Sequence, residues 1–182
     1  MFDTSSARPI FQKTQVSALS SILVGCASKT AWVRVEGKGS FLNSSGLKEF
    51  GREMVNRGFR EFVVDLKNCP VMDSTFMGTL AGLALSLRGL GHGHLHVINL
   101  NERNRDLLRN LGLDQLFAME LCPQVTGIEA NQKPLQDAAA DKTEQAQTML
   151  EAHEALVQAD STNLAKFKDV LEYLKHDLHV GH

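Results

Sequence analysis

An acidic residue and two hydroxyl side chains stand at the start of a helical pattern in the middle of the chain. Asp73, Ser74 and Thr75 follow a short polar loop and precede an apolar stretch with helical spacing. Asp and Ser are both strong N-cap residues, so by themselves they are expected to cap this helix. A serine hydrolase would need glycines two residues before and after Ser74, and neither is present.

Alternating histidines form a second candidate site. The three histidines of residues 91–96, in GHGHLH, would lie on one face of a strand at a spacing that metal ligands use. A glycine turn leading into a strand explains the pattern more simply, and we expect no metal. A small metal protein or enzyme using these histidines stays an alternative. Three histidines near the C-terminus are expected to be solvated: His176, His179 and His182.

Composition excludes several classes of function. The 182 residues are 43% hydrophobic and 22% charged with a net charge of −2, which is typical of a globular protein and offers no basic field for nucleic acid or an anionic membrane. No apolar run reaches the ~20 residues that span a bilayer, and the start lacks a signal-peptide pattern. Cys26, Cys69 and Cys122 form no close pair, which predicts buried thiols in a reducing cytoplasm.

Short apolar strands alternate with amphipathic helices through the first two thirds of the chain. A β-β-α-β-α-β-α-β order predicts an α/β domain whose mixed or parallel sheet is flanked by helices. The strands are expected over 21–27, 31–36, 61–66, 95–100 and 116–121, and the helices over 41–58, 74–90 and 101–113.

The last third of the chain differs in charge and pattern. Residues 1–125 hold 14 basic and 11 acidic residues, whereas residues 126–182 hold 5 and 10. We therefore predict four parts: an N-terminal segment over 1–16, an α/β domain over 17–122, a linker over 123–134 and a helical extension over 135–182. The extension is expected to be a helical hairpin, with an apolar stripe of Leu164, Phe167, Val170, Leu171, Leu174 and Leu178 on its second helix. This stripe could pack on the α/β domain, on a second copy to give a homodimer, or on another protein.

The segment after the third strand resembles a known family signature. Residues 73–83, DSTFMGTLAGL, are similar to the D-S-[ST]-G-x-G-x-[LIV] signature of STAS domains, the fold of bacterial anti-sigma factor antagonists. The resemblance covers about residues 17–121 and extends to the order of strands and helices. Phe76 stands where the family usually has its first glycine, and Gly78 matches the second.

The resemblance implies a switched protein-interaction module rather than an enzyme. Ser74 would be the phosphoacceptor, with Thr75 as the alternative, and the residues around it would contact the partner: Asp73, Phe76, Met77 and Gly78. The implied partners are a serine-kinase anti-sigma factor with a histidine-kinase-like ATPase fold and a metal-dependent serine phosphatase. The kinase would supply ATP and Mg²⁺, so the chain needs no cofactor. The alternative is a STAS scaffold without a switch, or a subunit associated with a transporter.

Two further expectations concern packing. Met72 and Met77 flank Phe76, and methionines are common at adaptable interfaces, so we expect Phe76 to be exposed on a docking surface. The α/β domain has its own strands, helices and core, so truncation after Leu121 should leave it folded with an apolar patch exposed.

Overall fold

Apolar runs and helical spacing in the sequence account for the strands and helices of the protein. The computed structural model describes residues 20–120, 131–135 and 140–180. The strands are β1 (Ser21–Ala27), β2 (Thr30–Glu36), β3 (Glu61–Asn68), β4 (His94–Ile98), β5 (Ala118–Glu120) and β6 (Lys133–Pro134). The helices are α1 (Phe41–Asn56), α2 (Ser74–Gly89), α3 (Glu102–Asn110), α4 (Lys142–Ala159) and α5 (Asn163–Val180), and a 3₁₀ turn spans Leu113–Gln115. The predicted α/β class is confirmed.

The strands form one mixed sheet in the order β5-β4-β3-β2-β1-β6. β2, β3, β4 and β5 run parallel, while β1 is antiparallel to both of its neighbours. Central β3 is buried on both faces, which explains its nearly continuous apolar sequence. Phe62 and Val64 of β3 pack into the main core, and Val63 joins a small cluster with Trp32 and Ile98.

The predicted hairpin between β1 and β2 is confirmed. Its turn residues Ser28 and Lys29 both have positive φ, 50° and 67°. Tight hairpins favour this conformation because its twist matches that of the flanking strands.

The predicted linker over 123–134 ends inside the sheet. β6 pairs with β1 through Leu23 with Pro134 and Val24 with Lys133, and the Leu135 N–H donates to the Ile22 carbonyl at 2.7 Å. A two-residue strand has no periodicity that a sequence could reveal, so the pairing of residues 133–134 of the predicted linker was not expected. Residues 121–130 and the predicted N-terminal segment 1–16 lie outside the described residues.

The cysteine prediction is partly wrong. Cys69 is buried, and that burial raises the pKa of its thiol, but Cys26 is exposed near the end of β1. The described pairs of β6 with β1, at Leu23 and Val24, end before Cys26. Cys122 lies outside the described residues.

The predicted helical hairpin forms and docks on its own α/β domain. α4 packs along α2 and touches α1, and α5 packs on α4. Ala155 and Leu156 of α4 belong to the main core, so the extension shares that core. Only part of the predicted stripe of α5 is buried: Leu171 and Leu174 face α4, whereas Leu164 and Val170 are exposed. No helix in the described part of the chain is both long and apolar enough to cross a bilayer.

A buried asparagine ties the turn between α4 and α5 to the domain. The Asn163 side-chain amide donates to the carbonyls of Leu111 and Leu156, at 2.9 and 2.8 Å. At Gly112, which has a φ of +69°, a Cβ atom would lie 2.6 Å from a carboxylate oxygen of Asp160. The turn of the extension therefore approaches the end of α3 closely.

Asn163→Ala should lower the free energy of unfolding by about 1–3 kcal/mol, because the buried Leu111 carbonyl loses its Asn163 donor and the Leu156 carbonyl keeps only the Asp160 N–H. Urea denaturation measures the change. Lys168→Ala, at an exposed position of the same helix, is the control and should change stability by no more than about 0.5 kcal/mol. Equal effects of the two substitutions would contradict an anchoring role for Asn163.

Candidate functional site

Asp73 joins the N-termini of two helices. One carboxylate oxygen accepts from the Phe76 N–H in the first turn of α2, and the other accepts from the Phe41 N–H at the start of α1, each at 2.9 Å. The Asp73 N–H donates to the Gly39 carbonyl, which also links the segments that lead into the two helices. Asp73 is thus the N-cap of α2 and an added acceptor at the start of α1, whose own N-cap is Ser40, and we call this pair of bonds the double cap. Ser74 is the first residue of α2 after Asp73.

Ser74 is bonded to the C-terminal extension. Its Oγ lies 3.0 Å from His153 Nε2, and His153 Nδ1 lies 2.7 Å from the Met149 carbonyl. A carbonyl only accepts, so Nδ1 carries a proton, and in the neutral ring Nε2 accepts from the Ser74 hydroxyl. The His153 ring also meets the edge of Phe167, with ring centroids 5.0 Å apart, and His153 is 4% exposed. The half-buried Ser74 therefore faces a buried imidazole of α4.

The prediction that Phe76 is exposed is wrong. Phe76 is 0% exposed, and its ring fills the space beside Gly39, where a Cβ atom would lie 2.7 Å from the ring. Phe76 and Leu80 lie one helical turn apart, so both face the core side of α2. Met72 and Met77 are buried as well, so here the methionines mark the interior.

Gly78 is the point of closest approach between α2 and α4. A Cβ atom at Gly78 would lie 2.3 Å from the Ala152 carbonyl oxygen. The predicted contact residues Phe76, Met77 and Gly78 are therefore covered, the first by the core and the last by α4. Thr75, the alternative acceptor, is also buried, and Ser74 is the more accessible of the two hydroxyls.

Polar contacts also hold α4 against α1. The Ser45 hydroxyl donates to Thr148 Oγ1 at 3.2 Å, and Lys48 Nζ lies 2.6 Å from a Glu151 carboxylate oxygen. Burial by itself raises the pKa of Glu151, but the hydrogen bond and charge of Lys48 outweigh it with help from Gln147 and Arg52, so this pKa lies below its ordinary value. α4 thus carries a carboxylate that stays ionised beside α1.

Two of the alternating histidines, His94 and His96, contact the carboxylate of Glu61. His94 Nδ1 and His96 Nε2 lie 2.9 and 3.1 Å from the two oxygens of Glu61. Burial by itself raises the pKa of Glu61, but the hydrogen bonds and charges of His94 and His96 together outweigh it. The pKa of Glu61 therefore lies below its ordinary value. Within residues 20–120, 131–135 and 140–180, no three or more His, Cys, Asp or Glu side chains form a group that could hold a metal ion. His176 and His179 are exposed, and His182 lies outside the described residues.

Sequence reasoning missed every residue that α4 brings to the site. His153 lies 79 positions from Ser74, and no local pattern predicts such a contact. One signal was present: Gly78 and Gly82 lie four residues apart on α2, and Ala152 and Ala155 lie three apart on α4. Small residues at helical spacing on two helices permit close packing of their backbones.

Comparisons with known proteins agree with this fold. The family model described as STAS domain matches residues 23–127. The structure of TM1081 from Thermotoga maritima is similar with a TM-score of 0.50 and 16% identity, covering 54% of this chain and 78% of that one. The phosphorylated Bacillus protein SpoIIAA has a TM-score of 0.48 and 14% identity, covering 57% of this chain and 92% of its own. The unphosphorylated form, named an anti-sigma factor antagonist, has a TM-score of 0.45 and 16% identity, covering 49% and 81%. A comparison with curated protein sequences found no match.

Phe76→Ala should lower the free energy of unfolding by about 3–5 kcal/mol, because it empties a fully buried aromatic site. Phe41→Ala, at the 37% exposed first position of α1, is the matched control and should cost less than about 1 kcal/mol. Chemical denaturation followed by circular dichroism measures both. Similar stabilities of the two variants would contradict the core position of Phe76.

Asp73→Ala should lower the free energy of unfolding by roughly 0.5–2 kcal/mol for the lost N-cap of α2, and further because the Phe41 N–H of α1, which keeps its Ser40 cap, also loses its Asp73 acceptor. Asp73→Asn keeps one acceptor oxygen, so its free energy of unfolding should lie between those of the parent and Asp73→Ala. Thermal unfolding of the three proteins gives the order. An asparagine variant as stable as the parent would show that one oxygen is enough and that the double cap is wrong.

Proposed function

Because the chain belongs to the STAS domain family, we propose that it is an anti-sigma factor antagonist whose partner binding is switched by phosphorylation of Ser74. The observation that carries the proposal is the position of Ser74, the first residue of α2 directly after its Asp73 cap. This is also the position that matches the acceptor in the family signature.

A phosphate at Ser74 would change the surface while the fold persists. The N-terminus of α2 carries partial positive charge, which favours an anion there. Phosphorylation adds about −1.5 to −2 charges beside the Asp73 carboxylate, which both helices hold in place. The result is a concentrated negative charge, and a partner that packs closely here is then repelled.

The partner in this proposal is a serine kinase that is also an anti-sigma factor. The kinase transfers the γ-phosphoryl group of ATP: the Ser74 Oγ–P bond forms as the bond from phosphorus to ADP breaks, and the hydroxyl proton passes to a kinase base. ATP and Mg²⁺ come with the kinase, and this chain contributes the acceptor and the surface around it. A metal-dependent serine phosphatase would restore the unmodified form.

A non-switching STAS scaffold is the second candidate, and one observation favours it. Ser74 Oγ is bonded to His153, whose side chain is almost fully buried. A hydroxyl held in this way could serve only to fasten α4.

Incubation with ATP and a serine kinase of the anti-sigma factor class tests the switch. Intact mass should rise by one phosphoryl group in the parent and in Thr75→Ala, and should not change in Ser74→Ala. Ser74→Ala should also keep the kinase bound in the presence of ATP. Phosphate mapped to Thr75 or Ser161 would contradict the assignment of the acceptor.

A further inference from the structure

We propose that α4 is an intramolecular competitor for the partner-binding surface, so that a partner reaches Ser74 only after α4 has left. We call this surface the α1–α2 face and define it by Ser45, Lys48, Ser74, Gly78 and Gly82. The identity of the partner rests on the proposed function, whereas the closure of the face by α4 rests on the contacts below.

The contacts of α4 with the α1–α2 face involve side chains of several kinds. His153 bonds Ser74, Thr148 bonds Ser45, and Glu151 pairs with Lys48. Ala152 and Ala155 lie over Gly78 and Gly82. Residues 148–155 therefore match the face in shape, hydrogen bonding and charge.

Phosphoryl transfer needs an open Ser74. The Oγ atom must lie about 3–3.5 Å from the phosphorus of ATP and in line with the bond that breaks. In this structure the His153 ring stands 3.0 Å from that Oγ and is itself shielded by α5 through Phe167. A kinase cannot place ATP there while α4 is docked.

Gly78 and Gly82 offer a matched pair of substitutions. A Cβ atom at Gly78 would lie 2.3 Å from the Ala152 carbonyl oxygen, which is backbone and cannot rotate away. A Cβ atom at Gly82 would lie 3.7 Å from the Ala155 Cβ, an ordinary contact. Alanine favours a helix over glycine, so neither change weakens α2 itself. Gly78→Ala should therefore displace α4, and Gly82→Ala should leave it docked.

Thiol labelling of the full chain measures the opening without a kinase. Ser74→Cys places a reporter thiol at the covered position, and iodoacetamide modification is followed by peptide mass spectrometry with exposed Cys26 as the internal reference. The reporter thiol should react about 100-fold more slowly than Cys26, since it reacts only from the open state. When Gly78→Ala is combined with Ser74→Cys, the labelling rate of the reporter thiol should rise about tenfold or more. When Gly82→Ala is combined with it instead, that rate should change less than about threefold. Reporter labelling as fast as that of Cys26, or equal rates in the two alanine variants, would overturn the proposal.

A milder pair of variants covers the case in which Gly78→Ala does not fold. Glu151→Gln removes the ion pair with Lys48 of α1, while Glu154→Gln removes a pair with Lys175 of α5. Exposed ion pairs commonly contribute a few tenths to about 1 kcal/mol, so the first change should raise reporter labelling by about two- to fivefold. The second leaves the α1–α2 face intact and should have no effect. Equal labelling in the two variants would contradict the proposal.

The kinase reaction separates this inference from the proposed function. In chains that keep Ser74, the Gly78→Ala variant should be phosphorylated at least about tenfold faster than both the parent and the Gly82→Ala variant. This increase in phosphorylation rate should match the increase in labelling rate that Gly78→Ala causes in the Ser74→Cys reporter. If Gly78→Ala opens the face by labelling but takes no phosphate, the proposed switch is wrong and the closure by α4 stands. If the parent is phosphorylated as fast as Gly78→Ala, the competition is wrong and the switch stands.

Discussion

The bond that the site depends on most is the double cap made by Asp73. Its carboxylate accepts from the Phe41 N–H at the start of α1 and from the Phe76 N–H in the first turn of α2, so the two helices begin close together after the carboxyl end of central β3. The face on which α4 rests is built from these two helices. Ser74 follows Asp73 directly, which means that its position is set by the same bond. A chemical change at Ser74 that alters its charge would therefore act next to the bonds that join the starts of both helices.

Gly78 connects the α/β domain to the extension. It matches a glycine of the family signature, and in this chain the absence of a side chain lets the backbone of α4 approach α2 closely. The same approach brings His153 to Ser74 and Glu151 to Lys48. The extension thereby occupies the face that carries Ser74, and it joins the main core through Leu156. This arrangement links access to Ser74 with the stability of the helical hairpin.

Local patterns predicted the elements well. The apolar run of β3, the cap and spacing of α2, and the two helices of the tail all show in sequence because each follows from neighbouring residues. Phe76 was misjudged because neighbouring methionines suggested a surface, whereas its helical phase with Leu80 places it in the core. β6 is too short to show a period, and the contact of Ser74 with His153 joins positions far apart in the chain. Which of three surfaces the tail covers follows from long-range contacts, such as that of Ala152 with Gly78, and these contacts join it to the α/β domain.

The ring of His153 gives the most direct test of α4 docked on Ser74. In the full, unmodified chain at mildly alkaline pH, ¹⁵N chemical shifts should show a proton on Nδ1 and an acceptor at Nε2, because Nδ1 faces the Met149 carbonyl and Nε2 faces the Ser74 hydroxyl. Ser74→Ala should shift the Nε2 resonance and leave the resonances of exposed His176 unchanged. A His153 ring with its proton on Nε2, or one insensitive to Ser74→Ala, would contradict a docked α4.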